Sequence, residues 1–569
     1  MENRLQRNPL YIRFFITRFV NCFMRSPFFY SLLFLICFFS NCNSKEKADL
    51  FVYNATIYTV DSSFTTSEAM VISDGRIIAV GKTSDLQIQF DAKEKIDAQQ
   101  KFIYPGFIDA HAHFFNYGIT LREAKLEGTN SWQEILDTLK QFAGQVKEGW
   151  LIGRGWDQND WPVKEFPNKE KLDELFPDRP VFLKRIDGHA ALVNQKALDM
   201  SGVKAGDKLT GGDVVVKDGK LTGLLIDNAV DLVEDKIPVP SDSEAAEAIH
   251  DGESNCFAVG LTTVDDCGLS SQQVELINTL QKTGHLKMRV YAMLSDKKEN
   301  YDFAFAKGKI KTDRLNVSSF KVYADGALGS RGACLLQPYT DKAGWYGFLL
   351  SPKEHFDSVA KVIYDHDWQM CTHAIGDSGN RMILKTYAKY LQGKNDRRWR
   401  VEHAQVVNPG DFQLFGQFNI IPSVQPTHAT SDMYWAEDRL GKERVKGAYA
   451  YLQLLKENGW IPLGTDFPVE DISPFKTFYA AVVRKDAKGF PPEGFQIENA
   501  LTRQQALQGM TIWAARANFE EKEKGSLEKG KFADFVILDK DLMKIADQDL
   551  LKTVVLYTFV GGEKVYEKK

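Results

Sequence analysis

The middle of this chain alternates short apolar runs with helical stretches, and that rhythm limits the folds open to it. Candidate strands fall at 107–111, 261–265, 288–294, 318–323, 369–373, 399–403, 419–423 and 460–464. Strands that alternate with helices are expected to pair in parallel, because each helix serves as the crossover between two of them. Eight such strands predict an α/β chain built on a (β/α)8 TIM barrel, whose chemistry gathers at the C-terminal ends of the strands. The first gap is far too long for one helix, so an inserted α/β subdomain is expected at about 115–250. Inside it, Ser131 and Glu134 form a capping-box pattern ahead of Ile135, Leu139, Phe142 and Val146 on one helical face. VFLKRI (181–186) reads as a strand of the insertion.

Both ends of the chain are β-rich. LFVYNATIYTV (50–60) and AMVISDGRIIAVG (69–81), with an Asp74-Gly75 turn, lie near the start. FADFVILD (532–539) and TVVLYTFVGGEKVYE (553–567), with a Gly561-Gly562 turn, lie near the end. One small β-sandwich built from both termini is the reading preferred over two independent hairpins. The division expected is a leader at 1–42, sandwich at 43–104, barrel at 105–515 and sandwich again at 516–569.

Residues 27–42, PFFYSLLFLICFFSNC, are almost wholly apolar, follow Met24-Arg25 and end at Cys42 before a polar stretch. The run is short for a membrane span but suits a signal-peptide core. It resembles a bacterial lipoprotein signal, which implies lipidation of Cys42 and an exported, membrane-anchored protein of the cell envelope. Asn41 departs from the small residue usual before such a cysteine, and Met24 offers an alternative start; a retained membrane anchor is the other reading. Of seven cysteines, Cys256, Cys267, Cys334 and Cys371 lie beyond the leader without metal-finger spacing, and are expected to be buried free thiols. A formal net charge of −5 and no sustained basic run set nucleic acid aside as a partner.

The strongest chemical signal is Pro105-Gly106-Phe107-Ile108-Asp109-Ala110-His111-Ala112-His113. Residues two apart on a strand face the same side, so His111 and His113 can grip one ion. The pair alone is weak evidence, since core or surface histidines explain most such spacings. Its weight comes from where the other candidates fall. Lys321 lies in the fourth strand, His373 and His403 end the fifth and sixth, and Asp466 follows the eighth. Independent structural accidents would not keep landing on one rim.

At this point the chain resembles the amidohydrolase superfamily, family 3, the branch of YtcJ-like proteins and N-substituted formamide deformylases. The resemblance spans about 48–560 through PGFIDAHAHF (105–114), GRGWDQNDW (153–161), RIDGHAALVN (185–194) and GLTTVDDCG (260–268). It continues through KVYADGALGSR (321–331), THAIGD (372–377), VEHAQ (401–405), GTDFPVE (464–470) and GSLEKGKFADFVILD (525–539). It implies a metal-dependent hydrolase in which His111, His113 and Asp466 bind one ion and His373 and His403 a second. Zinc is the expected cofactor, as one ion or two, with other divalent metals open. Lys321 would bridge the ions as a carbamate, because an ammonium has no lone pair and repels a dication; an ordinary lysine beside a single metal is the alternative.

Such an ion acidifies bound water, and Asp466 would accept the proton of that water and return it to the departing nitrogen. His189 is a second catalytic candidate, placed to hydrogen-bond the substrate carbonyl. Asp325 and Arg331 are candidates for the pocket wall, against a loop-bracing ion pair. His428 is a substrate-binding candidate against a surface loop histidine, and Trp156 and Trp161 are expected mainly to pack the insertion. His250, His285, His355 and His366 receive no role. The expected partners are a small-molecule substrate and the membrane, with room for a homodimer. Hydrolysis of a small amide-type C–N bond is the leading reading. An ester or lactone hydrolase on the same site, or a catalytically silent lipid-anchored binding protein, are the alternatives.

Overall fold

A computed structural model describes residues 45–569; the apolar leader and Cys42 lie outside the described residues. Seven parallel strands form the barrel: β1 (Phe107–Ala112), β2 (Leu261–Leu269), β3 (Arg289–Ser295), β4 (Leu315–Tyr323), β5 (Gln369–Ala374), β6 (Arg400–His403) and β7 (Ile421–Ser423). They pair in chain order, so each α crossover returns the chain to the neighbouring position.

The eighth predicted strand, 460–464, is not a regular strand. Its residues close the gap between β7 and β1 through scattered bonds: Val424 N–H to Pro462 O at 3.2 Å, Gly464 N–H to Val424 O at 3.0 Å, and Ala110 N–H to Leu463 O at 3.2 Å. The reason lies in a close approach. A Cβ on Gly464 would stand 2.5 Å from the His111 backbone nitrogen, so only glycine lets this segment press against β1.

The long first connection holds a mixed six-stranded sheet, including Leu151–Trp156, Val181–Arg185, Ala190–Val193 and Lys220–Asp227. The helix Trp132–Gln145 is capped by the Ser131 side chain and buries Ile135 and Leu139 against this sheet. Trp156 and Trp161 pack in the same core.

Both chain ends build the β-sandwich. Strands 50–60, read as one run, divide: Glu46–Tyr53 enters the first sheet and Thr56–Tyr58 the second. The chain turns at Asn54, left-handed at φ 56, a conformation Asn tolerates better than most residues. The second sheet joins Phe102–Pro105 to Phe535–Leu538 and Val555–Val560. Leu50, Ile72, Ile103, Phe535 and Phe559 form one core across the two sheets. The four cysteines beyond the leader are free, with Cys256, Cys267 and Cys371 buried and Cys334 half-buried. Among the described residues no helix is long and apolar enough to cross a membrane.

Sandwich and barrel are locked by a buried bidentate pair, in which Arg289 at the start of β3 donates to Asp534 from Nε at 2.6 Å and from Nη2 at 2.9 Å. Burial pushes the Asp534 carboxyl up, but Arg289 outweighs it and holds the carboxyl below its ordinary value. Asp534→Ala strands a buried guanidinium, which typically costs ~3–5 kcal/mol, so the unfolding midpoint should fall sharply near neutral pH. A group with a depressed folded pKa contributes above its unfolded pKa and loses that contribution as pH falls through the folded value. The gap between wild type and variant should therefore narrow in acid, and equal midpoints at neutral pH would contradict this account of the joint.

Candidate active site

The barrel rim is assembled by backbone contacts around β1. Asp109, buried one residue pair below His111, accepts the backbone N–H of His111 at 3.2 Å and of Thr465 at 2.9 Å, and the Thr465 hydroxyl at 2.6 Å. It thereby ties the closing segment to β1 just before Asp466, whose own N–H donates to His111 O at 2.7 Å. Burial pushes the Asp109 carboxyl up to about 7. His403 and Asp466 are both left-handed, at φ 70 and 66. Side chains rarely tolerate this conformation, and strain of this kind collects at functional sites.

These turns bring seven side chains together at one end of the barrel. Asp466 Oδ1 lies 3.3 Å from His113 Nε2 and 3.5 Å from His111 Nε2, while Oδ2 lies 3.2 Å from His428 Nε2. The ring of His403 stands 4.7 Å from that of His111 and 4.5 Å from that of His373, centroid to centroid. Lys321 Nζ is 3.1 Å from His111 Nε2 and wholly buried. Two sets of potential ligand atoms, His111-His113-Asp466 and His403-His428-Asp466, each fit within 4.8 Å. Asp466 belongs to both.

Electrostatics favours neutral imidazoles. Burial, then the Lys321 charge, lowers His111 to about 4; burial and neighbouring histidines push His373 and His403 well below the usual value. A neutral ring keeps a lone pair for a metal. His111 Nδ1 lies 2.6 Å from Glu402 Oε2, which as acceptor fixes the tautomer that leaves Nε2 unprotonated. Burial opposes the charge on Glu402, but Arg400 and His111 hold its carboxyl down to about 2. Arg400 in turn donates to Asp265 at 2.9 Å, and the Asn518 amide donates to Asp265 at 2.6 Å.

Do these residues suit a cation? His373 Nε2, His403 Nδ1 and Asp466 Oδ1 are buried without a hydrogen-bond partner. Buried polar atoms seldom stay unpaired in a protein without a reason. Neutral imidazole nitrogens beside one carboxylate form a donor set suited to a divalent transition metal. The set fits.

Above this cluster opens a cavity of about 380 Å³, floored by His113, Lys321, His373, His403, His428 and Asp466. The insertion supplies the facing wall, including Arg185, Asp187 and His189. Arg185 is held by Asp187 at 2.5 Å and by Asp157.

Two expected pocket residues lie elsewhere. Asp325 is wholly buried and accepts the N–H groups of Cys334, Ile375 and Gly376 at 2.8 to 2.9 Å, bracing the loop after β4 behind the wall. Arg331 does not line the cavity; its guanidinium is turned instead to Asp341, to which it donates at 2.8 Å. His428 is not a surface loop residue: it is buried on the helix Pro426–Asp432, between Asp466 and Glu470. Neither Trp156 nor Trp161 lines the cavity, nor do His250, His285, His355 or His366. Sequence reasoning missed Glu402, although it adjoins His403 in VEHAQ; its function needs side chains of β6 and β1, strands that are not neighbours in the sheet, to meet inside the barrel. It also missed Asp227, which partners His189 at 2.6 Å from the adjoining strand of the insertion sheet, 38 residues along the chain.

Comparison with known proteins agrees with this geometry. The chain is 31% identical to YtcJ of Bacillus subtilis, named as a candidate amidohydrolase, over 90% of this chain and 98% of that protein. It is 26% identical to the N-substituted formamide deformylase of Arthrobacter pascens, over 92% of this chain and 99% of that one. A solved structure of a metal-dependent hydrolase from Pyrococcus horikoshii superposes with a TM-score of 0.72 at 26% identity, covering 88% of this chain and 99% of that one. The amidohydrolase family profile matches residues 94–566. With that match across most of its length, the chain belongs to the amidohydrolase family.

Proposed function

We propose that this metal-dependent amidohydrolase cleaves an amide-type C–N bond in a small, uncharged or N-substituted substrate. The observation that carries the reading is the placement of Asp466, whose two oxygens lie 3.2 to 3.5 Å from three imidazoles at the cavity floor. The name of the Arthrobacter pascens relative, a deformylase of N-substituted formamides, supports a C–N bond as the target.

His111, His113 and Asp466 would hold one zinc ion, and His373 and His403 a second. A zinc ion held there would supply Lewis acidity, so that a proton of water could be removed near neutral pH. Asp466 is placed to accept the proton of the attacking water. Burial alone would raise its carboxyl, yet His111, His113 and His428 hold it well below the usual range, so it is ionised near neutral pH. It then returns the proton to the departing nitrogen, which leaves poorly as an anion. His189, on the facing wall, hydrogen-bonds the substrate carbonyl. Lys321, buried 3.1 Å from His111 Nε2, carries a carbamate in the loaded enzyme, because a bare ammonium there would repel the cation. The leader motif supports export, with Cys42 lipidated as the membrane anchor.

Asp466→Asn should lower kcat on an N-substituted formamide by about 10³-fold with little change in KM. Retained turnover in that variant would remove the general base. Given an amide and an ester with a common acyl group, the enzyme should hydrolyse the amide, and cleavage of the ester alone would move the reading to an esterase. In enzyme loaded under ¹³C-bicarbonate, a carbamate signal should appear and vanish in Lys321→Gln; no signal in the wild type would leave Lys321 a plain amine.

A further inference from the structure

The insertion carries a paired histidine and carboxylate that hold no metal-type ligand position. His189 Nδ1 lies 2.6 Å from Asp227 Oδ1. The Asp227 side chain is fully enclosed, whereas that of His189 is 16% exposed and lines the same cavity as Asp466. Since Nδ1 faces a carboxylate that does not line the cavity, the ring edge meeting the cavity is the Nε2 edge. The ring stands 5.0 Å from that of His373, centroid to centroid.

Both residues are fixed from several directions. The Asp187 carboxylate accepts the His189 backbone N–H at 3.0 Å across the left-handed Gly188, and the Asp227 N–H donates back to His189 O at 2.8 Å. Asp227 itself has φ 50 and ψ −126, a strained conformation for any residue but glycine. The barrel makes room for its carboxylate with two glycines of the loop after β4. A Cβ on Gly326 would lie 2.4 Å from each carboxylate oxygen, and one on Gly332 would lie 2.1 Å from Oδ2. Oδ2 is nonetheless buried without a hydrogen-bond partner. Backbone strain and an unpaired carboxylate oxygen both destabilise the fold. A residue serving only to pack would be better replaced by an apolar one.

We propose that Asp227 is a positioning residue for His189. Its carboxylate keeps the proton on Nδ1 and sets the ring so that the Nε2 edge faces the substrate, which makes the insertion a working wall of the active site. The inference rests on His189 contacting substrate as proposed above. A carboxylate behind an imidazole commonly fixes its tautomer and orientation in this way.

The test uses zinc-loaded enzyme labelled with [¹⁵N]histidine, in which the signal of His189 among ten histidines is the one lost in His189→Gln. The wild type should show a proton on Nδ1 of His189, and the isosteric Asp227→Asn should shift that signal while leaving the other imidazoles in place. A proton on Nε2 alone, or an unmoved signal in Asp227→Asn, overturns the proposal whether or not a substrate is in hand. With an N-substituted formamide as probe, Asp227→Ala should lower kcat by about 10- to 100-fold at unchanged zinc content, with Asp227→Asn retaining more activity. Combined with His189→Gln, either Asp227 variant should add no further loss. Multiplying losses would overturn the pairing; if Asp227→Ala does not fold, the cycle through Asp227→Asn decides. A wild type inert towards the formamide counts against the proposed substrate class, while the imidazole signals still decide the role of Asp227.

Discussion

The closure of the barrel at residues 460–467 is the constraint on which the site depends. Seven strands pair in chain order, but the last gap is bridged by a segment pressed so close to β1 that Gly464 has no room for a side chain. That closeness lets Asp109 bind Thr465 and lets Asp466 donate its N–H to His111 O. The left-handed turn at Asp466, just past this segment, carries its carboxylate into the space between His111, His113 and His428. The fold therefore gives up ladder regularity at the point where its chemistry is set.

Burial does the second part of the work. Enclosure disfavours the charged imidazole, so His111, His373 and His403 present lone pairs rather than protons. The charge that remains is arranged as a buried series running from Glu402 through Arg400 to Asp265, three side chains on two strands with no exposure. Such a series is stable only because each charge faces its opposite. It also orients His111 from behind. The same principle recurs on the facing wall, where Asp227 stands behind His189 and Asp157 and Asp187 hold Arg185.

Much of this was legible in the sequence for a simple reason. Residues at strand ends are placed by the strand itself, so reading the apolar rhythm was enough to set His111, His113, Lys321, His373, His403 and Asp466 on one rim. The sandwich was readable from the Asp74-Gly75 and Gly561-Gly562 turns, which demand positive φ on tight hairpins. What escaped were positions fixed by tertiary contact. Asp325 looks like a cavity residue from its place after β4, yet three backbone N–H groups from elsewhere turn it inward. His428 looks like a loop residue until the helix Pro426–Asp432 buries it beside Glu470. Glu402 and Asp227 act through partners 291 and 38 residues away, separations that no local pattern reports.

The central claim is that a divalent cation belongs between His111, His113 and Asp466. Anomalous diffraction at the zinc edge from a zinc-loaded crystal tests it most directly. The account predicts a peak within coordination distance of both histidine Nε2 atoms and the Asp466 carboxylate. Anomalous density confined to other sites, with these three side chains unmoved and metal-free, would contradict it.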